Sequence, residues 1–137
     1  MGLTRVLVAD DNETYGTLLS RFVSSQPDME VVALATDGAE AIHLASLLEP
    51  DVVLMDLCMP RLDGFQATRV LADTNRNVKV IALTAHRWAD SERRSREAGA
   101  CAFVRKADVD ARLPDVIRSL GGAGDEADSP DGGAAPA

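Results

Sequence analysis

The stretch DVVLMDLCMPRLDG, residues 51–64, decides the fold. Its first part is an unbroken apolar run that stops at a lone acid, Asp56. Continuous rather than alternating apolar character predicts a strand over 51–55 that is buried on both faces, as in a parallel sheet. Met59, Pro60 and Gly64 then shape a loop, with Gly64 relieving a turn. Helical spacing follows over 64–73. A buried strand, an acid at its end, a short loop and a helix make one half of a strand–helix–strand unit.

The rest of the chain repeats this unit. LTRVLVA (3–9), EVVALAT (30–36), VKVIAL (78–83) and CAFVR (101–105) are short and apolar or β-branched. Helical patterns lie between them, over 13–25, 38–48, 88–98 and 110–120. In 13–25 the stripe is Tyr15, Leu18, Leu19, Phe22 and Val23; in 38–48 it is Ala41, Ile42, Ala45 and Leu48. The 88–98 pattern is polar nearly all round, and Gly99 stops it. Five strand–helix units predict an α/β fold: a flavodoxin-like, doubly wound, five-stranded parallel sheet of order 2-1-3-4-5 with five helices.

Composition agrees and excludes other classes. The 137 residues are 46% hydrophobic and 26% charged, ordinary for a globular domain. No apolar run reaches the roughly 20 residues of a membrane span, and the N-terminus has no basic, signal-type segment. The expectation is a cytoplasmic protein with no membrane partner. A net charge of -8 argues against binding a nucleic-acid backbone. Cys58 and Cys101 match no metal spacing and read as free thiols, Cys101 as a buried strand residue. Residues 1–120 form the predicted domain. Residues 121–137 carry four acids, no base and no Leu, Ile, Val or aromatic residue, so they read as a disordered tail or linker.

Ligands of such sheets bind beyond the carboxyl ends of the strands. The strand ends here carry Asp10 and Asp11, Asp56, Thr84 and Lys106. The turn after strand 1, DDNETYG, is acidic where a phosphate cradle needs glycines, so a nucleotide-binding loop is excluded. Three converging carboxylates demand a cation. A hard divalent ion such as Mg²⁺ together with Lys106 brings the formal charge to zero. An Asp carboxylate can attack phosphorus, and a cation, an ammonium and a hydroxyl would neutralise the transferring group. Lys106 is one of only two lysines, Lys79 being the other, against twelve arginines.

These residues resemble the receiver domain of two-component response regulators over residues 3–120. VLVADDN (6–12) is similar to that family's acidic turn, DVVLMDLCMPRLDG to its phosphoacceptor strand and loop, IALTA (81–85) to its switch threonine, and GACAFVRK (99–106) to its aromatic switch and lysine. The spacings of 45, 28 and 22 residues between Asp11, Asp56, Thr84 and Lys106 fit. The resemblance implies that Asp56 accepts a phosphoryl group from a sensor histidine kinase. It implies that Asp11, Asp56 and the backbone carbonyl of Cys58 hold Mg²⁺, with Asp10 acting through water. Lys106 and Thr84 would bind phosphoryl oxygens, and Phe103 would turn inwards, remodelling the strand 4–helix 4–strand 5–helix 5 face. A homodimer would use that face or the helix 1–helix 5 face. Ala107 replaces the proline many receivers carry after the lysine. RKADVDARLPDVIR looks more like receivers of LuxR-type transcriptional regulators, which would contact DNA only through a domain absent from this chain.

Other readings stand beside these. Hydrolases of the haloacid dehalogenase type also use an Asp nucleophile, Mg²⁺, Thr and Lys, but usually carry a second Asp where this chain has Cys58. That disfavours turnover of external phosphoesters; a Mg²⁺-dependent aspartyl-phosphate phosphatase stands as the enzymatic alternative, and a phosphorylation-independent adaptor as the other. Phe103 reads equally as core. Cys58 is a structural neighbour of Asp56 or a redox sensor. His86 is a loop residue or tunes phosphoryl hydrolysis, and His43 reads as surface. Arg87, Arg93, Arg94 and Arg96 interleave with Asp90, Glu92 and Glu97 as a salt-bridged helix, or as a docking face anchored by Trp88.

Overall fold

The five apolar runs become β1 (Thr4–Ala9), β2 (Met29–Ala35), β3 (Val52–Asp56), β4 (Lys79–Thr84) and β5 (Ala102–Arg105). All pair in parallel in the order β2-β1-β3-β4-β5, as the sequence predicts. The computed structural model describes residues 2–75, 77–85 and 90–121. Five helices connect the strands: α1 (Glu13–Ser24), α2 (Gly38–Leu48), α3 (Gly64–Thr74), α4 (Ser91–Ala98) and α5 (Val109–Gly121).

Strand β3 lies at the centre and is buried along its whole length, which its unbroken apolar run requires. Alternate residues feed two layers. Leu7, Val53, Met55 and Ala82 pack with Ala41 and Ala45 of α2 and with Ala67 and Leu71 of α3. Val6, Val8, Leu54, Ile81 and Val104 pack with Leu19 and Val23 of α1 and with Leu113 and Ile117 of α5. Strand β2 is an edge. Val6 pairs with Val31 but Leu7 with Ala33, so the register slips by one residue there, a bulge typical of an edge.

The strand-to-helix turns are set by side-chain caps. Asn12, Asp37 and Asp63 accept from the backbone N–H groups of Tyr15, Glu40 and Gln66. Gln66 returns a bond to Asp63, completing a capping box. Each such cap is worth about 1 kcal/mol. Gly64 is required by close approach: a Cβ there would overlap the Asp56 carbonyl. That contact seats α3 directly on the end of β3.

Three expectations are corrected. Leu18 is 58% exposed, because α1 turns Gly16, Leu19 and Val23 to the sheet and leaves Leu18 outside that narrower stripe. Cys101 is exposed, since it precedes β5 and only its backbone N–H engages the sheet, at Val80 O. Asp90 precedes the fourth helix rather than belonging to it, since α4 spans Ser91–Ala98, and 88 and 89 lie outside the described residues. Its polar sequence still packs, because Ser91, Ser95 and Ala98 form a buried stripe of small side chains. His43 is exposed as expected. His86, Arg87, Trp88 and the tail beyond Gly121 lie outside the described residues. Among the described residues no helix is long and apolar enough to cross a membrane.

Candidate functional site

The carboxyl edge of the sheet gathers the predicted side chains. Asp10 and Asp11 follow β1, Asp56 and Thr84 end β3 and β4, and Lys106 opens a short 3₁₀ turn directly after β5. Carboxylate oxygens of Asp10, Asp11 and Asp56 lie within 4.8 Å of one another. Asp10 and Asp56 are buried, at 1% and 4% exposure, while Asp11 faces solvent. One acid thus opens the pocket to water and two are sealed beneath it.

Lys106 answers part of that charge. Its Nζ donates to Asp10 Oδ2 at 2.7 Å and lies 3.6 Å from Asp56 Oδ2. The ammonium is therefore bonded to Asp10 and only near Asp56. Burial opposes its charge, yet the bond to Asp10 and the field of Asp56 hold it above the usual lysine range. Asp56 is left short of compensation. Burial first, and then the Asp10 and Asp11 charges, push its carboxyl up to about 6, against the opposing pull of the Cys58 N–H and Lys106. The Cys58 N–H donates to Asp56 Oδ1 at 3.1 Å, and the Asn12 N–H donates to Asp10 Oδ1 at 2.8 Å. The turn backbone thereby orients both buried acids.

Three oxygen-donor side chains around an undercompensated carboxylate fit a hard divalent cation by donor chemistry and by charge. Thr84 is buried at 1% exposure and pairs in the ladder with Arg105. Phe103 is half-buried against the α2–α3 layer, opposite Ala82. Cys58 is exposed, and its N–H, rather than its sulfur, is the group turned to Asp56.

Two site features were not anticipated from sequence. Tyr15, assigned to the core stripe of α1, places its ring 4.2 Å from Lys106 Nζ. Its position in the first turn after the acidic pair is the signal that could have found it. Arg61, in the loop after Asp56, adopts the left-handed region at φ 61° and pairs with Asp37, joining that loop to the start of α2. No local pattern links two residues 24 apart.

A parallel sheet in this order with an acidic triad at its carboxyl edge is a flavodoxin-like domain of the signalling-receiver class. The chain belongs to the response regulator receiver domain family, whose profile matches residues 6–118. It is 39% identical over 117 residues to the transcriptional regulatory protein LiaR of Bacillus subtilis (strain 168), covering 85% of this chain and 56% of that protein. It is also 39% identical over 117 residues to protein-glutamate methylesterase/protein-glutamine glutaminase 2 of Anaeromyxobacter dehalogenans, covering 85% of this chain and 34% of that protein. The crystal structure of a LuxR-family two-component response regulator from Aurantimonas sp. SI85-9A1 superposes with a TM-score of 0.83 at 30% identity, covering 95% of this chain and 92% of that one. The chain thus spans about half, or less, of the length of these curated relatives. It is a receiver domain of two-component signalling.

Proposed function

We propose that this receiver is a phosphorylation-dependent switch with Asp56 as the phosphoacceptor. The observation that supports this best is the setting of Asp56: a strand-end carboxylate between two other acids and one ammonium. A carboxylate oxygen of Asp56 attacks the phosphorus of a phosphohistidine on a sensor kinase. The P–N bond breaks and its electron pair goes to the imidazole nitrogen, which leaves as neutral imidazole when the other ring nitrogen carries a proton and otherwise takes one from solvent water. Asp11, Asp56 and the Cys58 carbonyl would hold Mg²⁺, with Asp10 assisting through water. Bound there, the ion supplies charge neutralisation of phosphoryl oxygens. Lys106 binds one oxygen and Thr84 another.

The new acyl phosphate adds charge where Thr84 and Lys106 can both contact it, and this differential contact biases a two-state equilibrium. Phe103, half-buried in this structure, turns inwards in the active state. The α4–β5–α5 face then changes towards a partner. A homodimer through that face or through α1 and α5, DNA contact through a further domain, and a cytoplasmic location complete the proposal.

The test is incubation with acetyl phosphate and Mg²⁺ followed by intact and peptide mass spectrometry. The expected result is one phosphoryl adduct, on Asp56, absent in Asp56→Asn. Equal labelling of that variant would place the acceptor elsewhere.

A further inference from the structure

We infer that Tyr15 is a positioning residue for Lys106: its ring face keeps the ammonium in the pocket while the lysine changes carboxylate partners. This inference rests on the phosphoacceptor reading of Asp56 and adds a residue that reading does not use. It starts from a closed circuit of contacts. Lys106 Nζ donates to Asp10 Oδ2, and Asp10 Oδ1 accepts from the Asn12 N–H. Asn12 Oδ1 accepts from the Tyr15 N–H at 3.0 Å, and the Tyr15 ring lies 4.2 Å from Lys106 Nζ. The helix cap that starts α1 thus also aims the ring at the lysine.

Lys106 has a partner conflict. It is hydrogen-bonded to Asp10, whereas its work lies at Asp56, where Nζ is at 3.6 Å. A cation drawn into the acid cluster competes for the negative charge that now holds the ammonium. A phosphoryl group on Asp56 then requires the ammonium to shift toward that side. A hydrogen bond is directional and breaks during such a shift. Attraction between a cation and a ring quadrupole changes slowly with lateral position and persists. The half-buried ring also covers one side of the lysine, whose side chain is only 15% exposed, and so limits the water that could solvate it away. A desolvated cation–ring pair corresponds to a preference of about 3- to 30-fold for the pocket-bound ammonium.

The composition makes the test clean, since Tyr15 is the single tyrosine and Lys106 one of two lysines. In uniformly labelled, unphosphorylated protein, the Lys106 ε-methylene protons are expected upfield of those of Lys79 through the ring current, with Lys79→Arg assigning the pair. Tyr15→Leu should abolish that shift and slow Asp56 labelling by acetyl phosphate at saturating Mg²⁺ by about 3- to 30-fold. Tyr15→Phe should restore both, which a merely volumetric role would not demand of Phe over Leu. Lysine signals without a ring-current shift in the wild type, measurable whether or not the Leu variant folds, overturn the inference. So does a folded Leu variant that labels as fast as wild type, while leaving Asp56 as acceptor. A wild type that acquires no label fails the phosphoacceptor reading and this role with it.

Discussion

Ion pairs appear in two places that share chemistry and differ in burial. On α4, Arg93 meets Asp90 and Glu97, and Arg96 meets Glu92, each at 3.0–3.1 Å. At the carboxyl edge, Lys106 meets Asp10 at 2.7 Å. The α4 side chains are about half exposed, whereas Asp10 is sealed at 1% and Lys106 at 15%. Water screens the first set, so its members can be exchanged at little cost. The second set has no such screen, and each charge there governs the state of its neighbours. Short distance alone therefore says little; burial separates a solvated helix face from a site.

The sharpest way to break this contrast is to remove the acceptor. Asp56→Asn should abolish phosphoryl labelling, a loss of at least about 100-fold by mass spectrometry, given that covalent catalysis needs the carboxylate. The same variant probes the pH behaviour in metal-free buffer. Because folding raises the Asp56 carboxyl to about 6, its contribution to stability is full below the ordinary carboxylate range near 3.8 and is lost as pH rises through about 6. At pH 7 the ionised wild type should thus be less stable than Asp56→Asn by about 1–3 kcal/mol, read from urea midpoints. The gap should close at pH 4.

Lys106→Met should lose labelling and also lower stability by about 1–3 kcal/mol at pH 7, because buried Asp10 loses its ammonium and keeps only the Asn12 N–H. Chemical denaturation checks it, and an unchanged midpoint would show that solvent reaches Asp10 after all. Gly64→Ala should cost about 1–3 kcal/mol through overpacking against the Asp56 carbonyl. Since that contact lies at the site, labelling should slow as well. The smallest effect belongs to α4: Glu97→Gln should shift stability by less than about 0.5 kcal/mol, less still at high salt. A loss comparable to that of Lys106→Met would erase the distinction between the two regions.

Much of this is legible in the sequence. The nearly continuous apolar runs predict the five parallel strands, and the acids after β1 and at the end of β3 lie at the predicted carboxyl edge. Element ends were less legible. The apolar stripe of α1 takes in Leu18, which is exposed, and the apolar run 101–105 takes in Cys101, which only precedes β5. Helix α4 shows why patterns fail there: two of its three buried positions are Ser91 and Ser95, which no hydrophobic count would select. Tyr15 packs against the core layer beneath α1, as its stripe predicts, but periodicity reports only which side of a helix is covered and not that an ammonium also lies against the ring.

The order of apolar and polar residues determined the architecture and the roster of the pocket, because burial and strand-end placement are local consequences of composition and spacing. Partner choice was decided only by tertiary structure. Lys106 stands 96 residues from Asp10 and 50 from Asp56, and nothing in the chain says which it bonds. That is decided where the sheet brings the strand ends together: Nζ lies 2.7 Å from Asp10 Oδ2 and 3.6 Å from Asp56 Oδ2, with the Tyr15 ring of α1 on a third side.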